Sequence, residues 1–318
     1  MKQQVPITRR DLLLRGLTLT AGGALALHAP GAEAKENANG FTFLVYSDVH
    51  VQPELHATEG YHKAIDTMKR AAPDAQFAIC GGDTVFDALA VPYDRAGHLY
   101  DLYGEQTKRL GLTVYPTLGN HDIFGLDSAK SGASLDDPHF GKRLFLERNG
   151  LKQAYYSFDR NGWHFIVLDS VQATPERKWR GFVDDAQLAW LKADLEAHSR
   201  RSPTILVTHM PIISAIAMYT DGTTTAPTDT LMVANGKAIK ELIQPYQVKA
   251  VLQGHTHIVE EIDYLGTKYV TAGAVSGNWW KGWRLGVHPE GFLVCRAAPN
   301  GDLSYKYVPY GWVAEAAA

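Results

Sequence analysis

Five short apolar runs in this chain stop abruptly at small groups of aspartate, histidine and asparagine. Residues 41–48 (FTFLVYSD) lead into Asp48-Val49-His50, and 76–80 lead through Gly81-Gly82 into Asp83. Residues 113–118 lead into Gly119-Asn120-His121-Asp122, 204–208 into His209, and 250–253 into Gly254-His255-Thr256-His257. Runs this short, rich in aromatic and β-branched residues, read as buried strands. Helical spacing separates the first three: 58–72 carries Ala64, Ile65 and Met68 on one face, and 94–110 carries Leu99, Leu102, Tyr103, Gln106 and Leu110. Residues 155–158 and 164–168 read as a strand pair around Asn161-Gly162. Asp184 caps a helix bearing Leu188, Leu191 and Leu195, 269–271 is a further strand, and 292–307 is a hairpin around Asn300-Gly301. Strands followed by helices predict an α/β fold with the strands at the centre. The stretches 123–152 and 212–233 are irregular, and long loops in a compact domain are more often functional than not.

In open α/β sheets, ligand sites form outside the carboxyl ends of the strands. Five segments therefore deliver Asp, His and Asn side chains to one crevice. Carboxylate, imidazole and amide oxygen are donors that a pair of divalent or trivalent metal ions accepts. On an extended strand Asp48 and His50 would share a face, as would His255 and His257. Glycines 81, 82, 119 and 254 would let the backbone turn sharply there. A lone carboxylate between two ions would bridge them and lower their repulsion. Taken singly, each group has a bland reading: Gly-Gly-Asp as a plain turn, Gly-Asn-His-Asp as a turn with a helix cap, His209 as a strand-end histidine. All of them at strand ends, in one order, is a far more specific signal.

That order (D-x-H, G-D, G-N-H-(D/E), H, G-H-x-H) resembles the signature of the calcineurin-like metallophosphoesterases, over roughly residues 41–273. The resemblance implies a four-layer α/β/β/α sandwich of two mixed sheets flanked by helices. It implies that Asp48, His50, Asp83 and His257 hold a first metal. Asp83 then bridges to a second, completed by Asn120, His209 and His255. His121 approaches the substrate and Asp122 orients its ring. The implied chemistry is hydrolysis of phosphate mono- or diesters by a metal-bridging hydroxide at a dinuclear site of Fe, Mn or Zn, with a small-molecule phosphate ester as substrate. A cyclic-nucleotide or phospholipid-headgroup phosphodiesterase uses the same core, and a non-catalytic metal-containing binding protein is the alternative of another class. The Trp-rich segment 277–283 with Pro289-Glu290-Gly291-Phe292 is similar, more loosely, to secreted bacterial members. Its tryptophans either pack the edge of the second sheet or put Trp279, Trp280 or Trp283 at the cleft rim, with Lys281 or Arg284 meeting a phosphate. Residues 274–318 are expected to complete the second sheet.

The N-terminus reads as an address. Arg9-Arg10 precede a mildly apolar run, 17–29, and Ala32-Glu33-Ala34 supplies a small-x-small cleavage pattern. This resembles a twin-arginine export signal, with Leu12 where Phe is frequent. The expectation is a signal peptide over 1–34, dependence on export machinery, a periplasmic or extracellular destination, and one catalytic domain over 35–318. Losing the leader, with its four basic and two acidic side chains, moves the formal charge from -3 to -5. An acidic balance disfavours nucleic acid as a partner, because backbone binding needs basic neutralisation. No run of eighteen apolar residues occurs, so no ordinary membrane span is expected. Cys80 and Cys295 are too few for a disulfide framework, and Cys80 reads as a core residue. His56, His62, His98, His139, His164, His198 and His288 lack the strand-end context and read as surface or core, and Tyr46 and Phe124 as packing.

Overall fold

The computed structural model describes residues 40–314. The leader expected over 1–34 lies outside the described residues. The chain runs β1 (Phe41–Tyr46), α1 (Ala57–Ala71), β2 (Ala75–Cys80), α2 (Tyr93–Lys108), β3 (Thr113–Pro116), α3 (Ser128–Ser131) and α4 (Arg143–Asn149). It continues through β4 (Tyr156–Arg160), β5 (Trp163–Val167), β6 (Val171–Ala173), β7 (Trp179–Gly181), α5 (Asp185–Asp194), a π-helical turn (Leu195–Ser199), β8 (Thr204–Val207) and α6 (Ile216–Thr220). It closes with α7 (Gly236–Ile243), β9 (Val248–Gln253), β10 (Val259–Tyr264), β11 (Thr267–Ala272), β12 (Gly291–Ala297) and β13 (Leu303–Pro309).

Two large sheets result, with strand orders β13-β12-β1-β2-β3 and β10-β11-β9-β8-β5-β4. Both are mixed: β1-β2-β3 and β5-β8-β9-β11 are parallel, while β12, β13, β4 and β10 pair antiparallel. The parallel strands are near-continuous apolar runs because both of their faces are covered. Phe43, Phe77 and Phe165 meet in the layer between the sheets. Phe43 stacks on Phe77 at 5.2 Å, and Phe165 from the facing sheet meets each ring edge-on at 5.5 Å. The other faces carry Leu44, Tyr46 and Cys80 toward α1 and α2, and Ile166, Leu206 and Val251 toward α5 and α7. This is the expected arrangement of two mixed sheets between helices. It carries the C-terminal ends of β1, β2, β3, β8 and β9 to one rim.

Several local expectations need correction. The β12–β13 hairpin extends the first sheet through β1, not the second. The irregular stretches hold short helices α3, α4 and α6, and a β6–β7 hairpin forms its own small sheet. Cys80 and Cys295 are both free and buried. They belong to opposite faces of the first sheet, Cys80 toward the helices and Cys295 toward the second sheet, so no bridge spans them. No helix among the described residues is long and apolar enough to cross a membrane.

Helix α1 buries Ala57, Tyr61, Ala64, Ile65 and Met68, a stripe at helical spacing. Gly60 shares that face because Trp280 lies on it: a Cβ at 60 would stand 2.2 Å from Trp280 Cζ3. Helix propensity alone favours Gly60→Ala by about 1 kcal/mol. Overpacking costs about 1–3 kcal/mol, so urea unfolding should show Gly60→Ala less stable than wild type. A stabilised variant would mean that Trp280 moves freely.

His164 on β5 is buried, with Nδ1 2.7 Å from Asp159 Oδ1 and Nε2 2.7 Å from Asp194 Oδ2. Burial opposes a charged ring, but the two carboxylates outweigh it and raise the pKa. A raised folded-state pKa contributes stability that is full below the unfolded value, about 6.5, and is lost as pH climbs through the folded value. His164→Gln should therefore cost more stability at pH 6 than at pH 9, and equal losses would mean that the ring is neutral in the fold.

Candidate dinuclear metal centre

The loops beyond the strands are stitched together by main-chain bonds. Asp48 N donates to Gly82 O and His50 N to Asp83 O, both at 3.0 Å, and Gly254 N donates to His209 O at 2.8 Å. His255 N donates to the Asp48 carboxylate at 3.1 Å. Ser276 N and Oγ both donate to Asp48 O, which draws the loop after β11 onto the site.

Asp48, His50, Asp83, His255 and His257 all have left-handed backbone, with φ of 56°, 45°, 51°, 70° and 60°. The two residues of each D-x-H and H-x-H pair therefore do not share the face of an extended strand, as the sequence suggested. Beyond the last strand residue, left-handed turns aim them instead. Such conformations cost about 1–3 kcal/mol each for non-glycine residues and persist where surroundings over-determine them. The glycines also act differently from expectation. Of the four, only Gly82 has positive φ, at 101°. Gly119 and Gly254 supply clearance: a Cβ at 119 would lie 2.1 Å from Asp83 Oδ1, and one at 254 would lie 2.7 Å from Asp48 Oδ2.

Two donor sets result, Asp48-His50-His257 and Asp83-His209-His255. In the first, His257 Nε2 lies 3.1 Å from His50 Nε2 and 3.3 Å from Asp48 Oδ1. In the second, His209 Nε2 lies 3.2 Å from Asp83 Oδ2 and 3.1 Å from Asn120 Oδ1. Asp83 Oδ2 is also 3.6 Å from His50 Nε2, so one carboxylate oxygen faces both sets. All seven residues expected as ligands are brought together.

The ring tautomers fit metal binding. His257 Nδ1 donates to Gly277 O at 2.5 Å and His209 Nδ1 to Gly81 O at 2.8 Å. His255 Nε2 donates to Thr230 O at 2.9 Å. Each such bond leaves the other ring nitrogen with a lone pair, and for all three that nitrogen belongs to a donor set. His255 Nδ1 is buried and has no hydrogen-bond partner. Lone pairs converging in a buried space are satisfied by cations, so the residues fit two metal ions. Burial lowers His255 to about 4 and His50 well below its ordinary value, and neutral imidazole is the metal-binding form. Burial opposes ionisation of Asp83, but His209, His121 and His50 hold its carboxyl well below the usual range. The same contact works on His209, where burial is outweighed by Asp83 and the pKa rises to about 9, so an ion binding at Nε2 would displace a proton there.

His121 stands beside both sets and belongs to neither, with its ring 5.0 Å from that of His50 and edge-on to it. Asp122 does not orient it. The Asp122 carboxylate accepts from Asp83 N, Thr84 N, Thr84 Oγ1 and Gly119 N at 2.6–2.9 Å, so it is buried scaffolding for the Asp83 loop. The carboxylate paired with His121 is Asp87, with Oδ1 3.7 Å from Nδ1. Burial opposes the charged His121 ring, but Asp83, Asp87 and Asp122 raise its pKa. Asp87 escaped the sequence reading because it follows the strand-end group in an irregular stretch with no period to mark it. Of the three tryptophans considered for the rim, Trp280 is buried, Trp283 is exposed and Trp279 covers His50 at 3.9 Å between ring centroids. Arg284 Nε donates to Thr256 O, so it braces the His255-His257 loop. His164, His198 and Asp194 form a separate cluster.

The sequence profile of the calcineurin-like phosphoesterase family matches residues 41–259, from the first strand through all five strand-end groups. The chain belongs to that family. It is 26% identical over 194 residues to purple acid phosphatase 23 of Arabidopsis thaliana, a match spanning 55% of this chain and 37% of that protein. It is 24% identical over 177 residues to a probable cyclic nucleotide phosphodiesterase of Xenorhabdus bovienii, spanning 55% and 61%. The match thus spans less than two thirds of either curated relative. Among solved structures, a dimetal phosphatase from Danio rerio superposes with a TM-score of 0.61 at 15% identity, over 85% of this chain and 97% of that one. At that identity the superposition speaks for the phosphoesterase fold.

Two aspartate substitutions separate scaffolding from ring support. Asp122→Asn puts an NH₂ against backbone donors, which should cost about 1–3 kcal/mol and lower the metal content. Asp87→Asn should leave metal content intact and lower turnover by about 10–100-fold. Plasma mass spectrometry with steady-state kinetics reads both, and a metal-replete, stable Asp122→Asn enzyme would contradict the scaffolding role.

Proposed function

We propose that this member of the calcineurin-like phosphoesterases hydrolyses phosphate mono- or diesters at a dinuclear metal site. The observation that carries the reading is Asp83 Oδ2, which faces His50 of one donor set and His209 of the other. Asp48, His50, Asp83 and His257 would hold one ion, and Asp83, Asn120, His209 and His255 the other. When bound, the pair supplies Lewis-acid charge to the phosphoryl group and an activated water. The chain does the rest. Gly277 O, Gly81 O and Thr230 O keep the histidine lone pairs aimed inward, and Asp122 keeps the Asp83 loop in register. Water supplies the oxygen that replaces the ester oxygen on phosphorus. His121, outside both donor sets, donates a proton to the leaving alkoxide. Asp87 supports its ring. The non-catalytic alternative is less well supported, since ligands, His121 and a supporting carboxylate are all present.

Both kinds of ester stay within the reading, in keeping with a purple acid phosphatase and a probable cyclic nucleotide phosphodiesterase among the relatives. We also propose, from Arg9-Arg10 and Ala32-Glu33-Ala34, that the chain is exported. Arg9→Lys combined with Arg10→Lys should then hold it in the cytoplasm of the expressing bacterium. Export of that variant would sink this part.

With chromogenic mono- and diester substrates, chelation should abolish turnover, and readdition of Fe, Mn or Zn should restore it. His121→Ala should lower turnover by ~10²–10⁴ with metals still bound. A wild-type rate for that variant on a poor leaving group would remove His121 from the mechanism.

A further inference from the structure

In the loop that follows β11, Gly277, Trp279 and Trp280 have left-handed backbone, with φ of 57°, 58° and 67°. Bulky residues rarely adopt this backbone, and an observed outlier of this kind points toward function. Main-chain bonds help to hold the loop, with Trp280 N donating to Ser276 O and Asn278 N to Gly282 O, both at 2.7 Å. The buried Trp280 indole donates from Nε1 to His50 O at 2.9 Å. With Trp280 pinned inward, Trp279 is left partly exposed over the metal site.

The Trp279 ring lies 3.9 Å from His50 and 5.4 Å from His257, tilted 32° and 28°. Those two histidine rings are only 5.0 Å apart, so both share one face of the indole. His121 meets the indole near-perpendicular at 4.8 Å, and Phe86 does so at 5.6 Å. Phe86, Asp87, His121 and Trp279 are all partly exposed. Trp279 thus stands beside His121, the histidine proposed to donate to the leaving oxygen, and Phe86 stands edge-on to Trp279.

We infer that Trp279, with Phe86, forms an aromatic subsite that selects esters whose leaving group carries a planar ring. The inference rests on the phosphoesterase reading and adds a substrate class to it. An indole offers stacking to any flat ring and little to a small aliphatic alcohol. Aryl and nucleoside leaving groups share this chemistry and differ in how far the ring stands from phosphorus.

The test compares metal-loaded wild type with Trp279→Ala and Trp279→Phe on phenyl phosphate, a nucleoside 5′-monophosphate and ethyl phosphate. Trp279→Ala should lower the ring-over-ethyl ratio of kcat/KM by about 5- to 150-fold, mostly through KM, and Trp279→Phe should recover most of it. Whichever ring substrate loses more identifies the source, aryl or nucleoside. Calorimetry with phenylphosphonate and methylphosphonate adds a readout without turnover: wild type should prefer the phenyl probe, and Trp279→Ala should lose that preference. Metal content measured on each protein guards against indirect effects. An unchanged ratio in Trp279→Ala, or an equal loss on all substrates together with lost metal, overturns the inference and makes Trp279 a packing residue for His50 and His257. If wild type hydrolyses no ester, the phosphoesterase reading fails, while a phenyl preference that depends on Trp279 would still support the aromatic subsite.

Discussion

Everything at the site hangs on the Asp83 carboxylate lying between two histidine sets. One oxygen faces His50 and His209, and the other accepts from His121 N at 2.8 Å. Its main chain is committed as well, with N donating to Asp122 and O accepting from His50 N. Gly119 has no side chain because Asp83 occupies that space. A carboxylate held in this way is positioned between the two donor sets before any ion binds.

The cost of this arrangement is local. Seven of the thirteen non-glycine residues with positive φ among the described residues are Asp48, His50, Asp83, His255, His257, Trp279 and Trp280. Buried lone pairs and carboxylates face one another there, a combination that disfavours the fold by itself. The two sheets supply the compensation through the Phe43-Phe77-Phe165 layer and the helix faces outside it. Metal binding would add to this, because a ligand that binds only the native state stabilises it.

Much of this was legible in the sequence, for a physical reason. A strand buried on both faces must be apolar throughout, so its abrupt end in Asp or His marks the sheet rim. That rule located β1, β2, β3, β8 and β9 and the seven candidate ligands that meet at their rim. Three features were not legible. The aim of Asp48, His50, His255 and His257 depends on backbone handedness, which residue spacing does not encode. Asp122 and Asp87 differ in role only through which donors surround them, and residue type is silent on that. The sheet joined by β12 and β13 depends on long-range pairing with β1, and strand alternation looks the same in either sheet. Trp279 and Trp280 are neighbours of one type, yet one is pinned in the core and the other stands over the site. Gly60 on α1 makes that difference by leaving room for Trp280.

Electron paramagnetic resonance of the protein loaded with two equivalents of Mn(II) tests the shared carboxylate most directly. Ions joined through Asp83 should give the broad spectrum of an exchange-coupled pair, and Asp83→Asn should abolish that coupling. A six-line spectrum of isolated Mn(II) in the fully loaded wild type would contradict the dinuclear centre.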